Sequence, residues 1–218
     1  MEKWFPKDKI VLTGNPLRNN IVPMNDRRDE GVAFFGLNPE KKTILLVGGS
    51  QGALGINKGI SAQLASFKEN DYQLIWQTGT HYFDKASKEV QENGLQDRIK
   101  CTVFIDRMDL AYAAADVVIS RAGAMSISEL SLLNKAVVFV PLPTAAEDHQ
   151  TKNAMSLVNA NAAIIVKNSE TEKELLPVVF DLLKNVDKQD EMKDNIAKFA
   201  RPNAAEDIVD QIEMILNK

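Results

Sequence analysis

The sequence predicts an α/β fold, a doubly wound parallel sheet of about six strands. Three observations predict it. From Lys42 onward, apolar runs of strand length recur along the chain. Stretches with helical spacing separate them, and this alternation is the mark of parallel βαβ units. The runs lack an apolar–polar alternation, which fits strands covered on both faces.

The elements follow in order. Residues 1–41 read as irregular: "TGNP", the charged run "NDRRDE" and "GLNPEKK" are turn and linker chemistry, with a short strand candidate at 10–12. Strands are expected in "TILLVGG", "YQLIWQ", "CTVFI", "DVVIS", "AVVFVP" and "AAIIV". Helices are expected over 51–68, 81–93, 110–115, 126–133 and 147–159. From 171 onward the pattern gives two or three amphipathic helices, with a break at Pro202-Asn203. No internal repeat of fixed period is present.

The 218 residues are 44% hydrophobic and 26% charged, enough for one sizeable core. A formal net charge of -4 argues against nucleic acid as a partner, since that asks for a basic face. The one cysteine, Cys101, lies in the apolar run "IKCTVFI" and reads as a small buried hydrophobe in a reducing compartment. No apolar run approaches the about 18 residues of a membrane span. The start, "MEKWFPKDK", has no signal-peptide core. A soluble, cytoplasmic chain is expected. One cysteine and two distant histidines give no metal-ligand spacing, so no metal is expected.

Ligands of such sheets bind outside the carboxyl ends of the strands, so the loops after the strands carry the functional reading. After the first strand comes "GGSQGALGIN". Its glycines permit a tight turn and close approach, and the next helix offers free N–H groups and a positive dipole end to an anion. A plain βα turn also favours glycine, and this segment alone leaves both readings open. It has neither the lysine of a G-x-x-x-x-G-K-[ST] phosphate loop nor a G-x-G-x-x-G pattern. The second strand ends Gln77-Thr78-Gly79, without the acid that a dinucleotide ribose needs. A nicotinamide cofactor is disfavoured, and no cofactor is expected.

After the fourth strand, "SRAGAMSISE" gives a strand end, a small-residue turn at Ala122-Gly123-Ala124 and a helix from about Met125. Small residues leave the helix N-terminus uncovered, so its amides suit a diphosphate, and Ser126 adds a hydroxyl. Glu129, when ionised, only accepts hydrogen bonds; it suits two ribose hydroxyls and repels phosphate. Together these spell a nucleoside diphosphate. An ordinary capped helix, with Ser126 as cap and Glu129 at the favourable dipole end, explains the segment as well when it is read alone.

After the third strand, Phe104-Ile105 stands where a flat base stacks and takes backbone hydrogen bonds. Asp106 reads as N-cap of the following helix. After the fifth strand comes "VPLPTAAEDHQTKNA". There Glu147, Asp148, His149, Gln150 and Asn153 crowd a helix start, a cluster able to satisfy sugar hydroxyls. His149 reads as a surface or capping residue rather than a general base, and His81 has no role. Arg18, after the turn in "TGNPLR", either lies free on the surface or closes over a phosphate or sugar.

Five stretches, "TGNPLR", "LLVGGSQGALGIN", "FIDRM", "ADVVISRAGAMSISEL" and "PLPTAAEDHQTKNA", together resemble the C-terminal half of the MurG family in order and spacing. These bacterial glycosyltransferases add N-acetylglucosamine to undecaprenyl-pyrophosphoryl-N-acetylmuramyl-pentapeptide in peptidoglycan synthesis. The resemblance covers nearly all of the chain. It implies one half of a two-domain GT-B fold, whose Rossmann-like halves face each other across a cleft. It divides the chain into an interdomain linker over 1–41, a UDP-sugar-binding domain over 42–170 and C-terminal helices over 171–218.

By that resemblance this half binds UDP-N-acetylglucosamine. Ile105 touches uracil. Ala124, Met125 and Ser126 present the helix N-terminus to the diphosphate, with Ser50 nearby. Glu129 holds the ribose, His149, Gln150 and Asn153 read the sugar, and Arg18 closes on the donor. The family often has glutamine where His149 stands. The implied chemistry is inverting transfer without a bound metal. The acceptor site, the base and the membrane-facing patch belong to the other half, whose "GGTGGH" stretch this sequence lacks. No catalytic residue is therefore expected in this chain. Its expected partners are the donor, a missing N-terminal acceptor domain and, through that domain, the lipid-linked acceptor at the cytoplasmic face of the bacterial inner membrane. Alone it is expected to bind donor and transfer little or nothing. The alternatives are a non-catalytic donor-binding subunit of a two-chain glycosyltransferase and a UDP-sugar 2-epimerase.

Overall fold

The computed structural model describes residues 5–18, 21, 27–49 and 51–217. Six strands form one sheet: β1 (Lys42–Val47), β2 (Tyr72–Gln77), β3 (Ile99–Thr102), β4 (Val117–Ser120), β5 (Ala136–Phe139) and β6 (Ile164–Ile165). Their order is β3-β2-β1-β4-β5-β6, and every pairing is parallel. The helices are α1 (Arg28–Phe34), α2 (Leu54–Ala62), α3 (Ser66–Glu69), α4 (Phe83–Glu92), α5 (Met108–Ala114), α6 (Ala124–Leu132), α7 (His149–Val158), α8 (Thr171–Lys184), α9 (Val186–Ala197) and α10 (Ala204–Leu216).

Side chains alternate in direction along a strand, and here both faces are dry. Ile44, Leu46, Leu74, Trp76, Val117 and Ile119 share a core with residues of α2, α4 and α8. Leu45, Ile75, Val118 and Val137 share another with residues of α5, α6, α7 and α9. This is why the strand sequences read as unbroken apolar runs. The tail continues the layers: α8 packs on α2, and α9 lies against β5.

Several sequence expectations are corrected. Residues 10–12 form no strand; Val11 and Leu12 lie exposed and pair with nothing in the sheet. A β-prone triplet without a neighbouring strand has no ladder to join. The "NDRRDE" run is not all linker, because α1 begins within it. Asp29 and Glu30 fall in its first turn, where acids favour the helix dipole. Both arginines are partnered: Arg27 Nε donates within the run to Glu30 Oε2 at 2.7 Å, and Arg28 Nη2 donates beyond it to Lys41 O at 2.9 Å and Asp116 Oδ2 at 3.2 Å. Gly31 lets α1 cross α5, since a Cβ there would run into the Leu110 carbonyl oxygen.

Strand β3 stops at Thr102, so Phe104 and Ile105 lie beyond it, where the Thr102 hydroxyl donates to Phe104 O at 2.7 Å. Asp106 is not the N-cap of α5; Arg107 is. The helix expected over 51–68 is broken into α2 and α3, and His81 precedes α4 rather than lying on it.

Two buried polar links fix α2 to the sheet. The Trp76 indole N–H donates to Asn57 Oδ1 at 2.9 Å, and Asn57 Nδ2 donates to Thr78 O at 2.8 Å. Asn57→Leu leaves both partners buried and unpaired, each costing about 1–3 kcal/mol. Urea unfolding followed by tryptophan fluorescence is expected to show a loss in that range or above, with an unchanged m-value.

Lys135, just before β5, makes stability depend on pH. Its Nζ donates to Ala115 O at 3.0 Å. Burial pushes its pKa from 10.5 down to about 8, against the pull of Asp116 and with the push of Lys193 and Arg28. Between those two values the unfolded chain binds more protons, so stability rises with pH. The gain is complete above the higher value and lost as pH falls through the lower one. Stability measured by urea at pH 7.5 and pH 9.5 is expected to rise in the native chain and to rise less in Lys135→Met.

Candidate functional site

The strand order reverses its direction of growth between β1 and β4. Their carboxyl ends are therefore the place where a crevice opens. After β1, Gly49 and Gly52 adopt φ of 76° and 75°, left-handed values that glycine takes without strain. Gly52 and Gly79 pass back to back: a Cβ on Gly52 would strike the Thr78 carbonyl, and one on Gly79 would strike the Gly52 nitrogen. Ser50 lies outside the described residues.

After β4 the chain turns at Arg121. Its Nη1 donates to Val140 O at 2.9 Å and Pro141 O at 3.0 Å, tying the exit of β4 to that of β5. Burial lowers the pKa of this guanidinium, which still carries its charge because an arginine starts so high. Gly123 is the N-cap of α6, with extended φ and ψ and no side-chain capping bond. Among the described residues, a Cβ at Gly123 would find only Ser126 Oγ, at 4.0 Å. The first amides of α6, at Ala124, Met125 and Ser126, have no acceptor within the helix. Ala124 and Met125 are exposed and Ser126 is half-buried.

Glu129 lies one turn further on, only 8% exposed. The Tyr112 hydroxyl of α5 donates to its Oε2 at 2.9 Å, and Arg18 Nη2 donates to its Oε1 at 3.3 Å. Burial first, then the charge of Glu129, pushes the Tyr112 pKa well above its usual value. Asn15 Nδ2 donates to Ser128 Oγ at 2.9 Å, so the segment that carries Arg18 crosses α6 at two points. Gly14, with φ of 92°, packs against Arg201 and Ala204, which seat that segment from the other side.

The Ile105 side chain is buried in the core on the α5 side. Among the described residues, neither its N–H nor its carbonyl has a backbone partner. Phe104 beside it is exposed. At the start of α7, His149 and Gln150 brace their own loop and Asn153 reaches the turn before α6. His149 Nδ1 lies 2.8 Å from Ala146 O, Gln150 Oε1 accepts from Leu142 N–H at 3.0 Å, and Asn153 Nδ2 donates to Ala122 O at 3.3 Å. The two residues before them, Glu147 and Asp148, hold positive φ of 50° and 53°.

The structure thus brings Arg18, Glu129 and the α6 N-terminus together, and links Asn153 to them through Ala122. A cleft of about 540 Å³ also opens at this edge, beside Gly48, Gly52, Lys58, Arg121, Leu142 and Asn168. None of the nine described residues among those picked from the sequence lines it; its walls are the exits of β1, β4 and β5 and the starts of α2 and α8. Sequence reasoning missed Tyr112, Asn15 and Gly79. A tyrosine inside the alanine-rich stretch "LAYAAAD" was the available signal for the first.

Comparison with known proteins places these features in a family. The profile of the glycosyltransferase family 28 C-terminal domain matches residues 43–208. The UDP-N-acetylglucosamine--N-acetylmuramyl-(pentapeptide) pyrophosphoryl-undecaprenol N-acetylglucosamine transferase of Parabacteroides distasonis is 49% identical over 219 residues, covering 100% of this chain and 59% of the relative. The protein of the same name from Bacteroides fragilis is 51% identical over 206 residues, 94% of this chain and 54% of the relative. The crystal structure of Acinetobacter baumannii MurG matches with a TM-score of 0.73 at 29% identity, over 96% of this chain and 58% of that one. The chain spans little more than half the length of the curated relatives it matches.

The glycine geometry makes a stability prediction. Gly79→Ala must both hold a left-handed φ of 74° and push Gly52 away. Gly36→Ala, at φ of 61° with nothing near its Cβ, meets the backbone strain alone, about 1–2 kcal/mol. Thermal melts are expected to rank Gly79→Ala clearly below Gly36→Ala.

Proposed function

The chain belongs to the family of the glycosyltransferase family 28 C-terminal domain, and from that premise we propose that it is the donor-binding half of an inverting N-acetylglucosaminyltransferase. The donor is UDP-N-acetylglucosamine. The acceptor is the 4-hydroxyl of undecaprenyl-pyrophosphoryl-N-acetylmuramyl-pentapeptide, and the reaction belongs to peptidoglycan synthesis. The observation that carries the donor reading is Glu129: a nearly buried carboxylate, one turn inside an uncapped helix N-terminus, at the strand-order reversal.

The parts divide by chemistry. The free amides of α6 take the diphosphate, where backbone dipoles favour negative charge. Glu129 accepts from the ribose hydroxyls. The main-chain groups of Ile105, without a backbone partner among the described residues, meet the edge of the uracil. His149, Gln150 and Asn153 turn their remaining polar atoms to the sugar, and Arg18 answers the charge of the donor. The acceptor oxygen forms its bond to the anomeric carbon as the bond from that carbon to the diphosphate oxygen breaks. UDP departs with the electron pair, and inversion gives a β-1,4 link. The hydroxyl proton goes to a base assigned to an acceptor-binding domain outside these residues. On this reading the chain alone binds donor and transfers little or nothing. The whole enzyme works at the cytoplasmic face of the inner membrane, although no helix among the described residues is long and apolar enough to cross a membrane.

The test is an amide-shift NMR titration with UDP-N-acetylglucosamine, carried into the millimolar range, with NADH as control. Saturable shifts are expected at Ile105 and at 124–129, with affinity about tenfold or more weaker in Glu129→Ala, the worth of a charged hydrogen bond. Gly123→Ala is expected to melt like the native chain, since its methyl meets open space, yet to bind more weakly. Shifts with NADH and none with the sugar nucleotide overturn the reading.

A further inference from the structure

On the donor reading Glu129 accepts from two hydroxyls, yet it lies 8% exposed. An ionised carboxylate so placed is tolerated only where donors meet it. Among the described residues it has two, and they differ in kind. Tyr112 comes from α5, is 2% exposed, and packs in the core with Ile105, Met108 and Leu130. Its ring has no room to leave. Arg18 comes from an irregular segment, and its side chain is 55% exposed. Its guanidinium has water to move into. One carboxylate oxygen is therefore held by a fixed donor and the other by a replaceable one.

A carboxylate turns about its last torsion with a broad, soft preference. A single bond from a rigid ring to Oε2 removes that freedom and sets where Oε1 points. The Tyr112 hydroxyl suits the task because burial and the neighbouring charge keep its proton on. We propose that Tyr112 is a positioning residue: its hydroxyl anchors Glu129 Oε2 and thereby aims Oε1, which among the described residues meets only the half-exposed Arg18, at the ribose hydroxyls of the donor. The inference rests on the donor reading above. Tyr112 touches no substrate on this account and acts through Glu129 alone. What it sets is the preference for ribose over deoxyribose.

The test is calorimetric titration of the chain with UDP and with 2′-deoxy-UDP. The native chain is expected to favour UDP by about tenfold, the scale of one charge-assisted hydrogen bond. Tyr112→Phe keeps the ring and removes the donor. It is expected to bring the ratio close to one while affinity for 2′-deoxy-UDP changes less than threefold. A merely structural role predicts equal weakening of both nucleotides with the ratio kept, and that result overturns the proposal, as does no change in either. Should Tyr112→Phe fail to fold, Glu129→Gln keeps the test. The Tyr112 hydroxyl then holds the amide oxygen and turns the amide N–H groups toward the ribose, so the preference for UDP is expected to fall toward one; a Glu129→Gln chain that keeps the native ratio has turned its oxygen to the ribose and sinks the assignment. Absence of binding of either nucleotide to the native chain is a separate outcome, which overturns the donor reading and this inference with it.

Discussion

Strands β1 and β4 lie side by side and run parallel, yet their connections leave toward opposite flanks. From β1 the chain passes through α2 to β2; from β4 it passes through α6 to β5. The two helices start from neighbouring strand tips and pack on opposite faces of the sheet. No covalent connection bridges that gap, so the crevice is a property of the strand order rather than of any residue. What the residues must do is keep its walls still. On one wall, Gly52 and Gly79 touch through backbone that admits no side chain. On the other, Arg121 clamps two carbonyls of the β5 exit. Both are contacts between loops whose strands are set apart in the chain, and both depend on the sheet holding its register.

Charge burial sharpens the constraint on the α5–α6 side. Two carboxylates there are almost fully buried, Asp109 at 4% and Glu129 at 8%, and the structure treats them differently. Asp109 receives Arg107 through two bonds of 2.9 and 2.7 Å and Arg27 at 3.3 Å. The bonded Arg107, more than burial can oppose, holds its pKa down at about 2. That carboxylate is spent on pinning α1 to α5. Glu129 receives one neutral hydroxyl and one arginine at 3.3 Å whose side chain is mostly exposed. The first arrangement closes a charge in; the second leaves one oxygen answerable to whatever replaces Arg18. Ion pairs at a surface are worth little, and on the proposed reading that weakness is what a binding carboxylate needs from its resting partner.

The sheet was legible because parallel strands, buried on both faces, must be apolar throughout, and six such runs stand out from Lys42 onward. Arg18 and Glu129 were legible as residue types at a strand exit and a turn. Their contact with each other was not, because 111 residues separate them and no local rule joins them. Tyr112 was hidden by its surroundings: in an alanine-rich helix a tyrosine reads as core, and its hydroxyl has a role only once α6 lies across it. Helix α1 was hidden for the opposite reason. Its charges look like linker until Asp109 and Asp116, each far along the chain, supply partners. The strand assigned to 10–12 failed because propensity was read without asking what neighbour it would pair with.

The loop before α7 shows why its side chains are the types they are. Gln150 uses its carbonyl oxygen on Leu142, Asn153 its amide nitrogen on Ala122, and His149 one ring nitrogen on the Ala146 carbonyl. Each is a two-ended group, and each spends one end on the loop. Serine would spend its hydroxyl on the brace and have little reach left for a ligand. Lysine would reach, but it has no acceptor to offer. The Ala146 carbonyl can only accept, so this contact assigns the proton to His149 Nδ1 and leaves the other ring nitrogen over, as a carboxamide leaves its other end. On the proposed reading this is why the sugar end of the site is built from His, Gln and Asn, while the diphosphate end is left to backbone amides. A sugar is recognised by donors and acceptors held at fixed angles, and these side chains are held because their other ends are in use.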